Sequence, residues 1–162
     1  MGIIDNAVTR ALEIAADDSH GYDQTNRWGP DYDCSSLVID CFKRAGLPLS
    51  CTYTGNMRGD MLRCGFEDVT SSVDLSTGAG LERGDVLLNH VHHTALYLGG
   101  GQIVHHAGGV GGEPTVLQQE HHSGIEQNGG LVEYILQGHQ AHTGAQRQAA
   151  VVEIVGLHGH SP

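Results

Sequence analysis

Tyr32-Asp33-Cys34-Ser35-Ser36-Leu37-Val38 is the stretch that decides the reading of this chain. Turn-forming residues lead into it. Leu37, Val38, Cys41, Phe42 and Ala45 then fall on one helical face, at spacings of one, three and four. The spacing predicts a helix over 34–45, with Gly46 as its stop. Cys34 would open its first turn, where free backbone N–H groups and the positive end of the helix dipole favour a thiolate. Such a position is expected to lower the thiol pKa by about one unit or more. A single cysteine is more often a small buried hydrophobe, so the argument needs a partner for it.

The partner lies downstream. His92-His93-Thr94-Ala95-Leu96-Tyr97-Leu98 is a short apolar run led by histidines, Gly99-Gly100-Gly101 is a tight turn, and Gln102-Ile103-Val104-His105-His106 is a second strand-like run. Together they predict a β-hairpin. Antiparallel pairing across the glycines brings position 93 close to position 105. One histidine can act as base while the other holds its far ring nitrogen. Nucleophile, base and orienter are the plan of covalent acyl transfer.

These residues carry a resemblance. Asp33-Cys34-Ser35-Ser36, Gly84-Asp85-Val86, His93 through Tyr97 and Ile103-Val104-His105, in this order, resemble the NlpC-type papain-like cysteine hydrolases. The likeness is nearest to bacteriophage peptidoglycan hydrolases, cysteine amidases or endopeptidases of the endolysin kind. Gly21 through Gln24, Trp28-Gly29-Pro30 and Tyr53 through Met57 look like further parts of it, so it covers roughly residues 1–110. The resemblance implies Cys34 as nucleophile on a wall-peptide amide, His93 as base and His105 as orienter. It implies a papain-like α+β fold in which N-terminal helices, the nucleophile helix among them, pack on an antiparallel β-sheet. Beyond about residue 113 the agreement fades.

Working outward, Ile3 to Ala15 has one apolar face and predicts a helix, and Asn56 to Cys64 predicts another. Residues 22–33 read as a turn-rich loop and 66–83 as a strand then a polar loop. Further strands are expected at 85–89, 93–98, 102–106, 131–136 and 151–155. Helices first and strands second indicate α+β. With 162 residues, 39% of them apolar, the chain suits one domain. We expect a papain-like catalytic domain over 1–137. Residues 138–162 would add a last strand and a Gly- and His-rich, partly disordered tail.

The net charge is −11 and there are only eight Lys and Arg, which argues against nucleic acid as a partner. No apolar run approaches the length of a membrane span. The start, Met1 through Asn6, lacks the basic n-region of a signal peptide. The expected place of synthesis is the cytoplasm of the host bacterium, with action on the wall after release by a separate protein. Cys34 and Cys41 stand about 10 Å apart along a helix, too far for a disulfide. Free thiols and a monomer are expected. The chain either works alone or is the catalytic part of a longer lysin with a wall-binding module.

Around the nucleophile, Asp33 either caps the helix or holds the substrate's ammonium or hydrogen-bond donors, and the two roles are compatible. Ser35 is expected to cap, while Ser36 caps or meets substrate. Tyr22, Tyr32 and Trp28 line the cleft or pack in the core, and Tyr32 would be a donor to the oxyanion. The backbone N–H of Cys34 is the better oxyanion donor, since a helix start presents it already oriented. Gly84-Asp85 reads as a turn. The histidine pairs at 92/93, 105/106 and 121/122 raise a zinc reading. No His-Glu-x-x-His or Cys-x-x-Cys spacing supports it, so no metal or cofactor is expected. The alternatives are a papain-like acyltransferase, deamidase or effector amidase on another substrate, or a non-catalytic His-rich zinc or binding module.

Overall fold

The computed structural model describes residues 2–16, 25, 27–74, 79–89, 93–100, 102–106, 114–118 and 153–157. Within these, helix α1 spans Ile3–Ala16, α2 Cys34–Arg44 and α3 Thr54–Arg63. Strands follow at Glu67–Asp68 (β1), Val86–Asn89 (β2), His93–Gly99 (β3), Gln102–His106 (β4), Pro114–Gln118 (β5) and Glu153–Gly156 (β6). The architecture is the α+β arrangement the sequence predicts, helices packed against an antiparallel sheet.

Helix α2 ends as its sequence foretells. The N–H of Gly46 donates to the Lys43 carbonyl and that of Leu47 to the Phe42 carbonyl. This is a Schellman closure, with Gly46 at φ 113° supplying the left-handed residue. Helix α3 starts two residues earlier than the expected Asn56. The Asn56 side chain accepts the N–H groups of Thr52 and Tyr53 at 3.0 and 3.1 Å, so it caps the start from inside the first turn.

The strand order is β1-β6-β2-β3-β4-β5. Alternation sorts the strand residues onto two faces. Val86, Leu88, Leu96, Leu98, Val104 and Val155 share one cluster with Ala7, Val8, Ala11 and Ile14 of α1 and with Leu37, Val38, Cys41 and Phe42 of α2. Phe42 meets Phe66 edge-to-face at 5.1 Å. Each fully buried aliphatic or aromatic side chain here stabilises the fold by about 1.5–3 kcal/mol. The opposite face carries Leu87, Ala95, Ile103 and Ile154 under Val69 and Val73.

Two strands extend the expected picture. β6, described over Glu153–Gly156 against the expected 151–155, lies between β1 and β2 and so in the body of the sheet. β5 was not foreseen. It pairs with β4 from Gln102↔Gln118 to His106↔Pro114, and a proline at its start suits the outermost strand of the sheet among the described residues. The strand expected at 131–136 and the tail of 138–149 lie outside the described residues.

Candidate active site around Cys34

Cys34 is the first residue of α2, and the cap that places it is reciprocal. Asp33, in extended conformation, accepts the Ser36 N–H on Oδ1 at 2.8 Å. The Asp33 N–H donates to Ser36 Oγ, also at 2.8 Å. That capping box fixes the start of the helix to one residue. The backbone N–H groups of Thr94 from β3, of Ser35 and of Cys34 itself favour the thiolate form of the Cys34 sulfur, two acting from the helix start and one from the sheet.

Even so, the expected drop in the thiol pKa is not found. Burial, and after it the negative charge of Asp33, push Cys34 up to about 12, and the three N–H groups offset this only in part. The desolvation of the sulfur and the carboxylate that caps the same turn outweigh the donors of the helix start. In these surroundings Cys34 rests as a neutral thiol near pH 7.

Thr94 ties the sheet to this point. It is fully buried, and its Oγ1 donates to the Leu87 carbonyl at 2.9 Å. His93, immediately before it, opens β3 opposite Asn89 of β2. His105 lies on β4 opposite Thr115 and is buried. Tyr97 and Ile103 are directly paired, so by alternation positions 93 and 105 fall on one face of the sheet, on adjacent strands. That face is the one turned from the main helical core. Cys34, at the start of α2, comes to β3 at Thr94, the second residue of that strand. β3 and β4 form the expected hairpin, with Gly99 at φ 93° paired to Gln102 and Gly100 at φ 62° beyond it; Gly101 lies outside the described residues. His92 lies outside the described residues.

The side chains expected to line a cleft divide. Ser36 is fully buried, with its hydroxyl committed to the cap. Ser36 completes the capping box, one of the two roles open to it, and the capping expected of Ser35 is not in that box. Ser35 instead donates to Asp33 Oδ1 at 3.1 Å. Tyr32 is fully buried and donates to Asp40 Oδ2 at 3.0 Å, an oxygen that also accepts Arg44 Nε at 2.8 Å. It packs in the core, and as an oxyanion donor it must be withdrawn. Trp28 is half-buried against the main core, at φ 84°. Tyr22 lies outside the described residues. Asp85 caps a turn, accepting the Glu82 N–H at 2.8 Å.

Arg27 was missed. Its Nη1 donates to Asp33 Oδ2 at 3.2 Å and to Ser35 Oγ at 3.1 Å, on both sides of Cys34 in sequence. The signal was present, because Arg27 is the one basic residue between Gly21 and Asp33. All four cysteines are free. Among the described residues no three His, Cys, Asp or Glu side chains gather as a metal-binding group. No helix among them is long and apolar enough to cross a membrane.

Residues 28–104 match the family described as an endolysin-like domain. This stretch holds Trp28, Asp33, Cys34, His93 and Thr94, and stops just before His105. Among solved structures the chain is similar to the peptidoglycan hydrolase RipB from Mycobacterium tuberculosis. The identity is 21% over 72% of this chain and 58% of the RipB chain, with a TM-score of 0.46. No curated protein matches at a significant level. The endolysin-like match takes in the start of α2 and strand β3, the two elements that carry Cys34 and His93.

Proposed function

We propose that this protein is a cysteine hydrolase that cleaves an amide bond of the peptidoglycan stem peptide. The bond is either the N-acetylmuramoyl–L-alanine amide or one within the peptide. The observation that carries the reading is the place of Cys34 at the capped start of α2, where the Thr94 N–H of β3 acts on its thiol. It joins the start of α2 to the residue next to His93, from parts of the sequence far apart.

In this reading His93 takes the thiol proton as Cys34 Sγ attacks the amide carbon. A pKa near 12 makes that base necessary, because very little thiolate forms unaided at pH 7. The N–H of Cys34 stabilises the oxyanion. As the tetrahedral intermediate collapses, the C–N bond breaks and His93 protonates the leaving amine. Water, deprotonated by His93, then attacks the thioester, releasing the carboxylate and restoring the thiol. His105 holds the His93 ring in its working tautomer. No metal enters these steps.

The test is mass spectrometry of the soluble products from purified peptidoglycan. Peptides bearing a newly freed amine and no loss of sugar integrity are expected, and their masses name the bond. Products of glycan cleavage, or none from protein shown to be folded, would overturn the proposal. Activity on a non-wall amide alone would favour the acyltransferase, deamidase or effector reading.

A further inference from the structure

Arg27 stands between the Trp28 ring and the cap that precedes Cys34. Its Nη1 donates to Asp33 Oδ2 at 3.2 Å, to Asp33 Oδ1 at 3.4 Å and to Ser35 Oγ at 3.1 Å. Its guanidinium carbon lies 4.9 Å from the centroid of the Trp28 ring, the near-stacking distance of a cation–π contact. The ion pair is largely withdrawn from water, with the Arg27 and Asp33 side chains 18% and 13% exposed.

The Asp33 carboxylate is therefore nearly filled. Oδ1 accepts the Ser36 N–H at 2.8 Å and the Ser35 hydroxyl at 3.1 Å, besides the longer Arg27 contact. Oδ2 accepts Arg27. A carboxylate offers about four acceptor positions, so these partners leave at most one, on Oδ2. An ammonium reaching it would stand beside the guanidinium bonded to the same atom. Lys43, 5.5 Å from the Trp28 ring centroid, adds a second positive charge nearby. An acylated nitrogen carries no charge, and neither cation opposes it.

We infer that Arg27 closes Asp33 to a substrate ammonium and makes the site selective for stem peptides whose N-terminal amine is acylated, as it is where the peptide joins the glycan. The inference rests on the peptidoglycan reading above and deepens it by naming the form of the stem peptide the site takes. Arg27 acts here as a specificity residue, through Asp33, and takes no part in bond making.

Binding tests this without depending on which bond is cut. In full-length Cys34→Ala protein, calorimetry compares a muramoyl-capped tetrapeptide with the same tetrapeptide bearing a free N-terminus. The capped form should bind at least about tenfold more tightly, a difference of about 1.4 kcal/mol. Arg27→Gln on that background should narrow the ratio to less than about threefold by tightening the free peptide. Arg27→Lys should keep most of it. Arg27→Ala serves as a second probe of the opened carboxylate if the glutamine disturbs the cap, with thermal unfolding as the control for folding. Equal or tighter binding of the free peptide to Arg27-containing protein would overturn the inference, as would a ratio unmoved in both Arg27→Gln and Arg27→Ala. So would binding of neither peptide by a protein whose Cys34-intact form digests peptidoglycan. Failure of the Cys34-intact form to digest peptidoglycan would instead strike the reading of function beneath it.

Discussion

At Cys34 two effects of one helix start oppose each other. Orphan N–H groups favour the thiolate, while the burial that brings them close, and the Asp33 carboxylate that caps the turn, favour the thiol. The second pair wins by a wide margin. Asp33→Asn keeps an acceptor for the Ser36 N–H and removes the charge, so the Cys34 pKa should fall. Alkylation by iodoacetamide at pH 8 should then be faster than in the wild type, as read by the rate of Cys34 labelling; an equal or slower rate would show that Asp33 does not govern the thiol. The histidines separate in the same way. His93→Ala should lose hydrolysis by at least about a hundredfold, the scale of a general base, with His92→Ala near wild type. His105→Asn should retain more than His105→Ala, because an orienting role needs a hydrogen-bonding group in place. Equal losses at His92 and His93 would mean that the register of β3 is wrong by one residue.

Among the elements, α1, α2 and the β3–β4 hairpin were legible because each carries a clear period and a marked end. Val8, Ala11 and Ile14 repeat at helical spacing, Gly46 stops α2, and Gly99 with Gly100 turns the hairpin. β5 was not legible. Thr115, Val116 and Leu117 make a run too short for a period to show. Cys34, His93 and His105 stand out in the sequence as candidates, but the hydrogen bonding around Cys34 does not. The partners of Tyr32 and Ser36 are set by how α2 seats against its own loop, and no spacing encodes that Tyr32 would turn inward to Asp40. Gly84, at the entry to β2, offers a test at this scale. It sits at φ 94°, and a Cβ there would lie 2.7 Å from Ile4 Cγ2 of α1. Gly84→Ala should destabilise the fold by about 1–3 kcal/mol. In a domain of this size that lowers the midpoint of thermal unfolding by roughly 2–12 °C; an unchanged midpoint would contradict the close packing of α1 on this turn.

For the molecule as a whole, the buried thiols set a pH window. Burial pushes Cys34, Cys41 and Cys51 each up to about 12. The unfolded chain releases those protons near pH 8.5, so above that pH the folded state binds more protons than the unfolded one. The stabilisation is complete below about pH 8.5 and is lost as pH rises towards 12. Unfolding midpoints measured under reductant should fall steadily from pH 9 upward, and Cys41→Ala, itself costing about 1–2 kcal/mol in packing, should flatten that fall. A slope the same in both proteins would remove Cys41 from the account. The central claim, that Cys34 is the nucleophile of a peptidoglycan hydrolase, is tested most directly by the release of soluble peptides from purified peptidoglycan. Wild type, Cys34→Ala and Cys64→Ser are measured side by side in EDTA, with matched circular dichroism. The account predicts wild-type release undiminished by the chelator, most of it kept by Cys64→Ser, and none detectable from Cys34→Ala. Release by Cys34→Ala at the wild-type rate would contradict it.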